Sequence, residues 1–115
     1  MARAKLYSAI SAGTGDDAAI VKSTGGTVYS VNASNVNAAV RYIKLYNMAG
    51  SPVTTDTPIL RIAVPGATTG GVRDISFPLG VAFPRGIGVR IVTGAADSDG
   101  TDVASAELLV NIGYE

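Results

Sequence analysis

The chain has 115 residues, of which 47% are hydrophobic and 16% are charged, and its nine basic and nine acidic side chains cancel at pH 7. This length predicts one domain with its own core, the balanced charge argues against a nucleic-acid partner, and no apolar run approaches the ~20 residues of a membrane span. Cysteine and histidine are both absent, which excludes disulfides, thiolate metal sites and histidine-based catalysis.

Short β-branched runs alternate with Gly, Pro, Asn and Asp clusters about every ten residues, a texture typical of an all-β fold. We therefore predict a single domain over 1–115, an antiparallel β-sandwich of seven or eight strands, either jelly-roll or Ig-like. The predicted strands cover residues 4–10, 18–23, 27–33, 39–47, 58–64, 72–77, 86–93 and 107–114. Proline lacks a backbone donor, so Pro78 is expected either to stop the sixth strand after residue 77 or to mark an edge strand.

The first ten residues allow two interpretations. They form either an N-terminal arm that pairs with a neighbouring chain or the first edge strand of their own sandwich. An exposed strand edge can pair with unrelated chains and aggregate unless something covers it. A strand contributed by a neighbouring chain is one way to cover it. On the arm interpretation, the residues that contact another chain are Arg3, Lys5, Leu6 and Tyr7.

The fourth predicted strand has no wholly polar side. Arg41, Ile43 and Leu45 alternate with Tyr42, Lys44 and Tyr46, and alternate side chains lie on opposite faces of a strand. Either Tyr42 and Tyr46 face a neighbouring chain, or they cover a loop of their own chain.

The last two predicted strands show the clearest period-two alternation, as a half-buried antiparallel strand requires. Their apolar faces are expected to form the core. The residues predicted to be buried are Val89, Ile91, Leu108, Val110 and Ile112.

The segment 97–102 carries three carboxylates, Asp97, Asp99 and Asp102. Hard cations such as Ca²⁺ bind several oxygens from one loop, so these residues are weak metal-ligand candidates. The spacing does not match an EF-hand, and one short loop offers few ligands. We therefore predict a solvated acidic hairpin tip that binds no structural cation.

No segment carries a recognisable catalytic or cofactor motif. Residues 13–18 match a loose G-x-G-x-x-A pattern, but the segment that follows is β-branched, where a dinucleotide site needs a helix. No serine lies in a G-x-S-x-G elbow. The sequence predicts a protein that is not an enzyme and has no cofactor.

Three longer stretches, 38–47, 55–65 and 86–99, resemble a family of small virion proteins of tailed bacteriophages. The closing segment 110–114 is also similar, so the resemblance covers roughly residues 27–114. It implies a capsid decoration (cement) protein, synthesised in the host cytoplasm and located on the phage head surface. The implied partners are the major capsid protein and further copies of this chain, with a trimer favoured over a dimer.

The low fraction of charged residues agrees with such a role. Typical globular proteins carry about 25% charged residues, and a surface that is covered by other chains needs fewer charged side chains to stay soluble. The alternative is that Ser, Thr, Asn and Gly hydrate the surface. A second candidate function is a tail, neck or fibre-associated virion module, with host-surface binding as one role. A small hydrolase or lectin is a third and weaker candidate.

Overall fold

The computed structural model describes residues 4–115, and these form two antiparallel four-stranded sheets packed face to face. Two 3-10 helical turns, Gly15–Asp17 and Ala67–Thr69, lie between strands. The strands are β1 (Lys5–Ile10), β2 (Ala19–Lys22), β3 (Gly26–Asn35), β4 (Arg41–Asn47), β5 (Leu60–Val64), β6 (Val72–Phe83), β7 (Ile87–Val92) and β8 (Leu108–Tyr114). All eight predicted strands are present.

The strand order identifies the type of sandwich. Sheet A has the order β1-β8-β3-β6, and sheet B has the order β2-β7-β4-β5. The first strand therefore pairs with the eighth, the second with the seventh, the third with the sixth and the fourth with the fifth, which is the nested pairing of an eight-stranded jelly roll. An Ig-like sandwich would place β1 and β2 in one sheet, whereas here they lie in opposite sheets.

The core fills the space between the sheets, and the five residues predicted to be buried all lie in it. Alternation along each strand sends one residue in two inward. The core also contains buried residues from β3, β4, β5 and β6, among them Phe83, and Val103 from the long connection between β7 and β8. The apolar alternation in the sequence thus predicted the buried face of β7 and β8 correctly.

Strand β7 differs from the prediction in that all six of its residues are buried. Its outer face, with Gly88 and Arg90, was expected to be exposed. The outer face is covered by loops of the same chain. A Cβ on Gly88 would lie 3.1 Å from the Pro52 ring, which shows how closely the β4–β5 connection packs there.

Strand β6 continues past Pro78, beyond the range 72–77 that the sequence predicted. Its residues 72–76 pair with β3, the register then shifts, and pairing resumes at Val81. The residues between them form a bulge opposite Tyr29. Because β6 is an edge strand, a proline at the bulge costs no ladder hydrogen bond.

The first strand belongs to its own sandwich. Residues Lys5–Ile10 pair in continuous antiparallel register with β8, from Lys5 opposite Tyr114 to Ile10 opposite Leu109. Of the two interpretations of residues 1–10, the edge strand is therefore the one observed for residues 5–10. Arg3 lies outside the described residues.

Candidate functional site

The outer face of sheet B is closed by its own chain. Arg90, which points outward from β7, is fully buried. Its guanidinium donates to Asp16 Oδ2 (Nε, 3.1 Å), to the Tyr46 hydroxyl (2.9 Å) and to the carbonyl oxygens of Asp97 (3.3 Å) and Asp99 (2.5 Å). A single arginine thus fastens the loop that contains Asp97 and Asp99 to the sheet.

Lys44 lies beside Arg90 on the same face and is also fully buried. Its ammonium group donates to the carbonyl oxygen of Ala96. Burial lowers the pKa of Lys44, and the neighbouring Arg90 charge lowers it further. Both buried cations therefore contact backbone carbonyls of the β7–β8 connection, and both hold that connection against sheet B.

The three aspartates of this connection have separate partners. The Asp97 carboxylate accepts two hydrogen bonds from Arg61, at 2.6 and 2.7 Å, and that arginine lowers the pKa of Asp97. Asp99 Oδ1 accepts from the Thr101 amide at 2.9 Å, and Asp102 Oδ1 accepts from the Asp16 amide at 2.8 Å. Within residues 4–115 no group of three or more acidic side chains is arranged to hold a metal ion.

The predicted interface tyrosines have different environments. Tyr46 is 1% exposed and bonds Arg90 under the loop, so it offers no surface to a second chain. Here the alternative interpretation, a tyrosine covering a loop of its own chain, describes the structure. Tyr42 is half-buried. In the N-terminal strand, Tyr7 packs against the core while Lys5 and Leu6 are exposed.

The outer face of sheet A is not covered by other parts of the described chain. Its outward residues form three rows across the strands, and the register sets each row: Ile10, Leu109, Ser34 and Val72; Ser8, Asn111, Asn32 and Asp74; Leu6, Gly113, Ser30 and Ser76. Asp74 is the single ionisable residue among them. No loop of the described chain folds over these rows as the β7–β8 connection folds over sheet B.

The rows differ in character. In the middle row, Asn111 donates to Asn32 Oδ1 (3.4 Å), and Asn32 donates to Asp74 Oδ1 (3.0 Å). The flanking rows are apolar on the β1 side, where Leu6 is 67% exposed and Ile10 is 50% exposed. This surface combines exposed aliphatic side chains with short uncharged polar ones, and its low charge is a feature it shares with the centre of protein interfaces.

The bulge in β6 projects an apolar side chain from the edge of the same sheet. Leu79 is 97% exposed. Gly80 makes the bulge possible, since its φ is +78° and a Cβ there would lie 2.3 Å from Thr27 Cγ2.

A concave feature lies where the edges of β5 and β6 meet. It is an open groove of about 460 Å³ with Val40, Ala63 and Pro65 on its walls, Thr68 and Thr69 at one side and Arg73 at its rim. Arg73 has no ion-pair partner among residues 4–115. The groove could receive an apolar segment that carries a carboxylate, which suits contact with another protein.

Sequence reasoning missed the closure of sheet B. A signal was present, because Ile-Gly-Val-Arg-Ile-Val at 87–92 has only one polar residue and near-continuous apolar strands are buried on both faces. Arg90 is the only charged residue in that run, and a charged residue buried there is expected to form an ion pair.

Comparison with family models, curated proteins and solved structures gave no match to this chain. Among the described residues, no helix is both long and apolar enough to cross a bilayer.

Proposed function

We propose that the protein is a structural virion component of a tailed phage, a capsid decoration (cement) protein that binds major capsid subunits on the head surface. The observation that carries the proposal is the bare, almost uncharged outer face of sheet A. A monomer that stays apart from other proteins needs charge on its exposed surface. In the three rows described above Asp74 is the only ionisable side chain, and Glu115 lies beside Tyr29 at one end of the face.

The jelly-roll fold is compatible with this role but does not identify it. Eight-stranded jelly rolls occur in viral capsid proteins, lectins and cupins, and a shared fold does not by itself establish a function. The resemblance of segments 38–47, 55–65, 86–99 and 110–114 to small virion proteins favours a capsid-associated role over that of a lectin or a cupin.

The proposed mechanism is adhesive. The flat face of sheet A lies across the joint between capsid subunits and buries Leu6, Ile10 and Leu109 there. Because these side chains are between 42% and 67% exposed in the free chain, burial of each stabilises the contact by about 1–2 kcal/mol before the cost of association is counted. Such contacts resist separation of the subunits when packaged DNA presses outward.

The experiment is co-sedimentation of the purified protein with empty heads of the phage that encodes it. Wild type should sediment with the heads, whereas Leu109→Asp, which places a charge beside Ile10 in one of the apolar rows, should remain in the supernatant. Val53→Asp is the matched control, because Val53 is also exposed (55%) but lies in the β4–β5 connection.

Binding to tails or fibres, with none to heads, would support the second candidate, a tail, neck or fibre-associated module. Equal head binding by wild type and Leu109→Asp would overturn the assignment of sheet A as the contact surface. Absence of binding to any virion part would overturn the proposed function itself.

A further inference from the structure

The four edge strands of the sandwich are not protected to the same extent. Edge strands expose unpaired backbone groups, and proteins usually guard them with short length, prolines, bulges or charge. Strand β2 has four residues and an irregular register, β5 has five residues between Pro58 and Pro65, and β6 has a bulge at Pro78. Strand β1 has neither a proline nor a bulge, and its one charged residue is Lys5 at its start.

Strand β1 presents a regular set of free backbone groups at its edge. The Ser11 amide donates to the Leu108 carbonyl at 2.9 Å, in the register that places Ile10 opposite Leu109. Hydrogen-bonded and non-hydrogen-bonded pairs alternate along an antiparallel ladder. The amides and carbonyls of Leu6, Ser8 and Ile10 therefore point away from β8, toward the open edge.

We propose that two copies of this chain associate through their β1 edges, in antiparallel orientation about a two-fold axis at Ser8. In this register, Leu6 of one copy lies opposite Ile10 of the other, and Ser8 lies opposite Ser8. All three residues with free backbone groups then face one another, and each facing pair exchanges two hydrogen bonds. Both apolar side chains gain a cross-strand apolar neighbour.

Charge complementarity supports the same register. Lys5 of one copy comes to lie opposite Ser11 of the other, next to Ala12. The Ala12 amide donates to Asp17 Oδ1 at 2.7 Å, and the charges of Asp16 and Asp102 act on the same carboxylate. Lys5 of the second copy complements the negative charge of this acidic group, without a bond to Asp17 Oδ2, which is buried. Lys5 is exposed and takes part in none of the ion pairs of the described chain.

Lys5 also lies on the face of sheet A that an approach to Asp17 requires. Lys5 and Tyr7 lie on the same face of β1, since alternate residues share a face. Asp17 is near enough to Tyr7 for its charge to add to the effect of burial in raising the pKa of that tyrosine. The two-fold axis repeats the approach of Lys5 to the acidic group around Asp17, so the dimer contains it twice.

The dimer joins two A sheets into one continuous eight-stranded sheet. The apolar rows of Leu6, Ile10 and Leu109 from both copies then form one surface. This association does not depend on capsid binding, so it can be tested in the absence of phage heads. It differs from the trimer implied by the resemblance to virion proteins.

The first test is the mass of the full-length protein by sedimentation equilibrium over a wide concentration range. Wild type should approach twice the monomer mass of 11.6 kDa. Ser8→Pro removes an amide that points to the free edge and touches no bond to β8, so it should give a folded monomer. A monomeric or trimeric wild type, or a Ser8→Pro variant that still forms dimers, would overturn the proposal.

The second test does not depend on a proline being tolerated. Lys5→Glu places like charges together at both ends of the interface and should raise the dimer dissociation constant at least about tenfold. Arg73→Glu, a charge reversal at an exposed position far from β1, should leave it unchanged. Equal dissociation constants for the Lys5→Glu variant and wild type would rule out this register.

Cross-linking locates the axis. The chain has no cysteine, so Ser8→Cys introduces a single thiol, which should form disulfide-linked or short-reagent-linked dimers in high yield. Ser34→Cys is the control, because Ser34 is exposed on the same face but two strands away from β1. Equal yields from the two variants would contradict an axis at Ser8.

Discussion

The guanidinium of Arg90 lies 3.0 Å from the carboxylate of Asp16, although the two residues are far apart in the sequence. Arg90 comes from the centre of sheet B, and Asp16 comes from the 3-10 turn before β2. Between them they hold the β7–β8 connection in place, because the same arginine also binds carbonyl oxygens of that connection. This contact helps to close the outer face of sheet B, whereas the outer face of sheet A stays exposed.

Loss of Arg90 should destabilise the fold. Arg90→Met removes a buried charge whose partners then lose their hydrogen bonds, and we expect the free energy of unfolding to fall by about 3 kcal/mol. Urea unfolding followed by circular dichroism measures this change. Arg85→Met is the control, since Arg85 is exposed; similar losses in the two variants would contradict the role given to Arg90.

The core assignment predicts a large effect at Ile91, which is 2% exposed. Ile91→Ala should lower the free energy of unfolding by about 2–4 kcal/mol, through lost transfer energy and the cavity left behind. Ile59→Ala, at a residue 47% exposed in a connection, should change it far less. A loss below about 0.5 kcal/mol for Ile91→Ala would show that the cavity term is absent and the site is misassigned.

Lys44 predicts a dependence of stability on alkaline pH. Its pKa in the folded protein is below the ordinary value of 10.5 because of burial and then Arg90. The folded state therefore prefers the neutral amine, and this contribution to stability grows as pH rises from the folded pKa toward 10.5 and is lost as pH falls.

The measurement is the difference in unfolding free energy between wild type and Lys44→Met from about pH 7 to pH 10. Wild type should gain stability relative to the variant as pH rises. The comparison cancels the tyrosines, such as Tyr46, whose pKa is raised by burial. A constant difference across the range would contradict the effect, and Lys22→Met serves as a lysine control on edge strand β2.

The acidic connection should be independent of metal. Asp97, Asp99 and Asp102 each accept hydrogen bonds from the protein. We therefore expect the same melting temperature with EDTA and with added Ca²⁺. A shift of several degrees in differential scanning calorimetry would require a cation site at these residues.

Removal of residues 2–7 should destabilise the monomer as well as the dimer. Residues Lys5–Ile10 pair with β8, and Tyr7 packs against the core. Deletion leaves part of β8 without a neighbour, so thermal unfolding should occur at a clearly lower temperature. An unchanged melting temperature would support the other interpretation, an arm outside the folded domain.

The sequence by itself determined the eight strands and the buried faces of β7 and β8. These depend on local signals, namely period-two alternation and turn residues, which act within a few neighbouring positions. The predicted end of β6 at residue 77 was wrong, because the effect of Pro78 depends on whether the strand is central or at an edge, and strand order is a property of the whole chain.

Only the tertiary structure decided which face of each sheet is covered. Arg90 and Tyr46 lie on strands whose sequences allow either a solvent-exposed or a covered outer face. They are buried because two long connections fold over sheet B. Arg90, Lys44 and Arg61 bind the β7–β8 connection, and Pro52 of the β4–β5 connection packs against Gly88. Sheet A has no such loop within the described chain. The choice between jelly roll and Ig-like pairing was decided in the same way, because it depends on contacts between residues far apart in sequence, which no local pattern encodes.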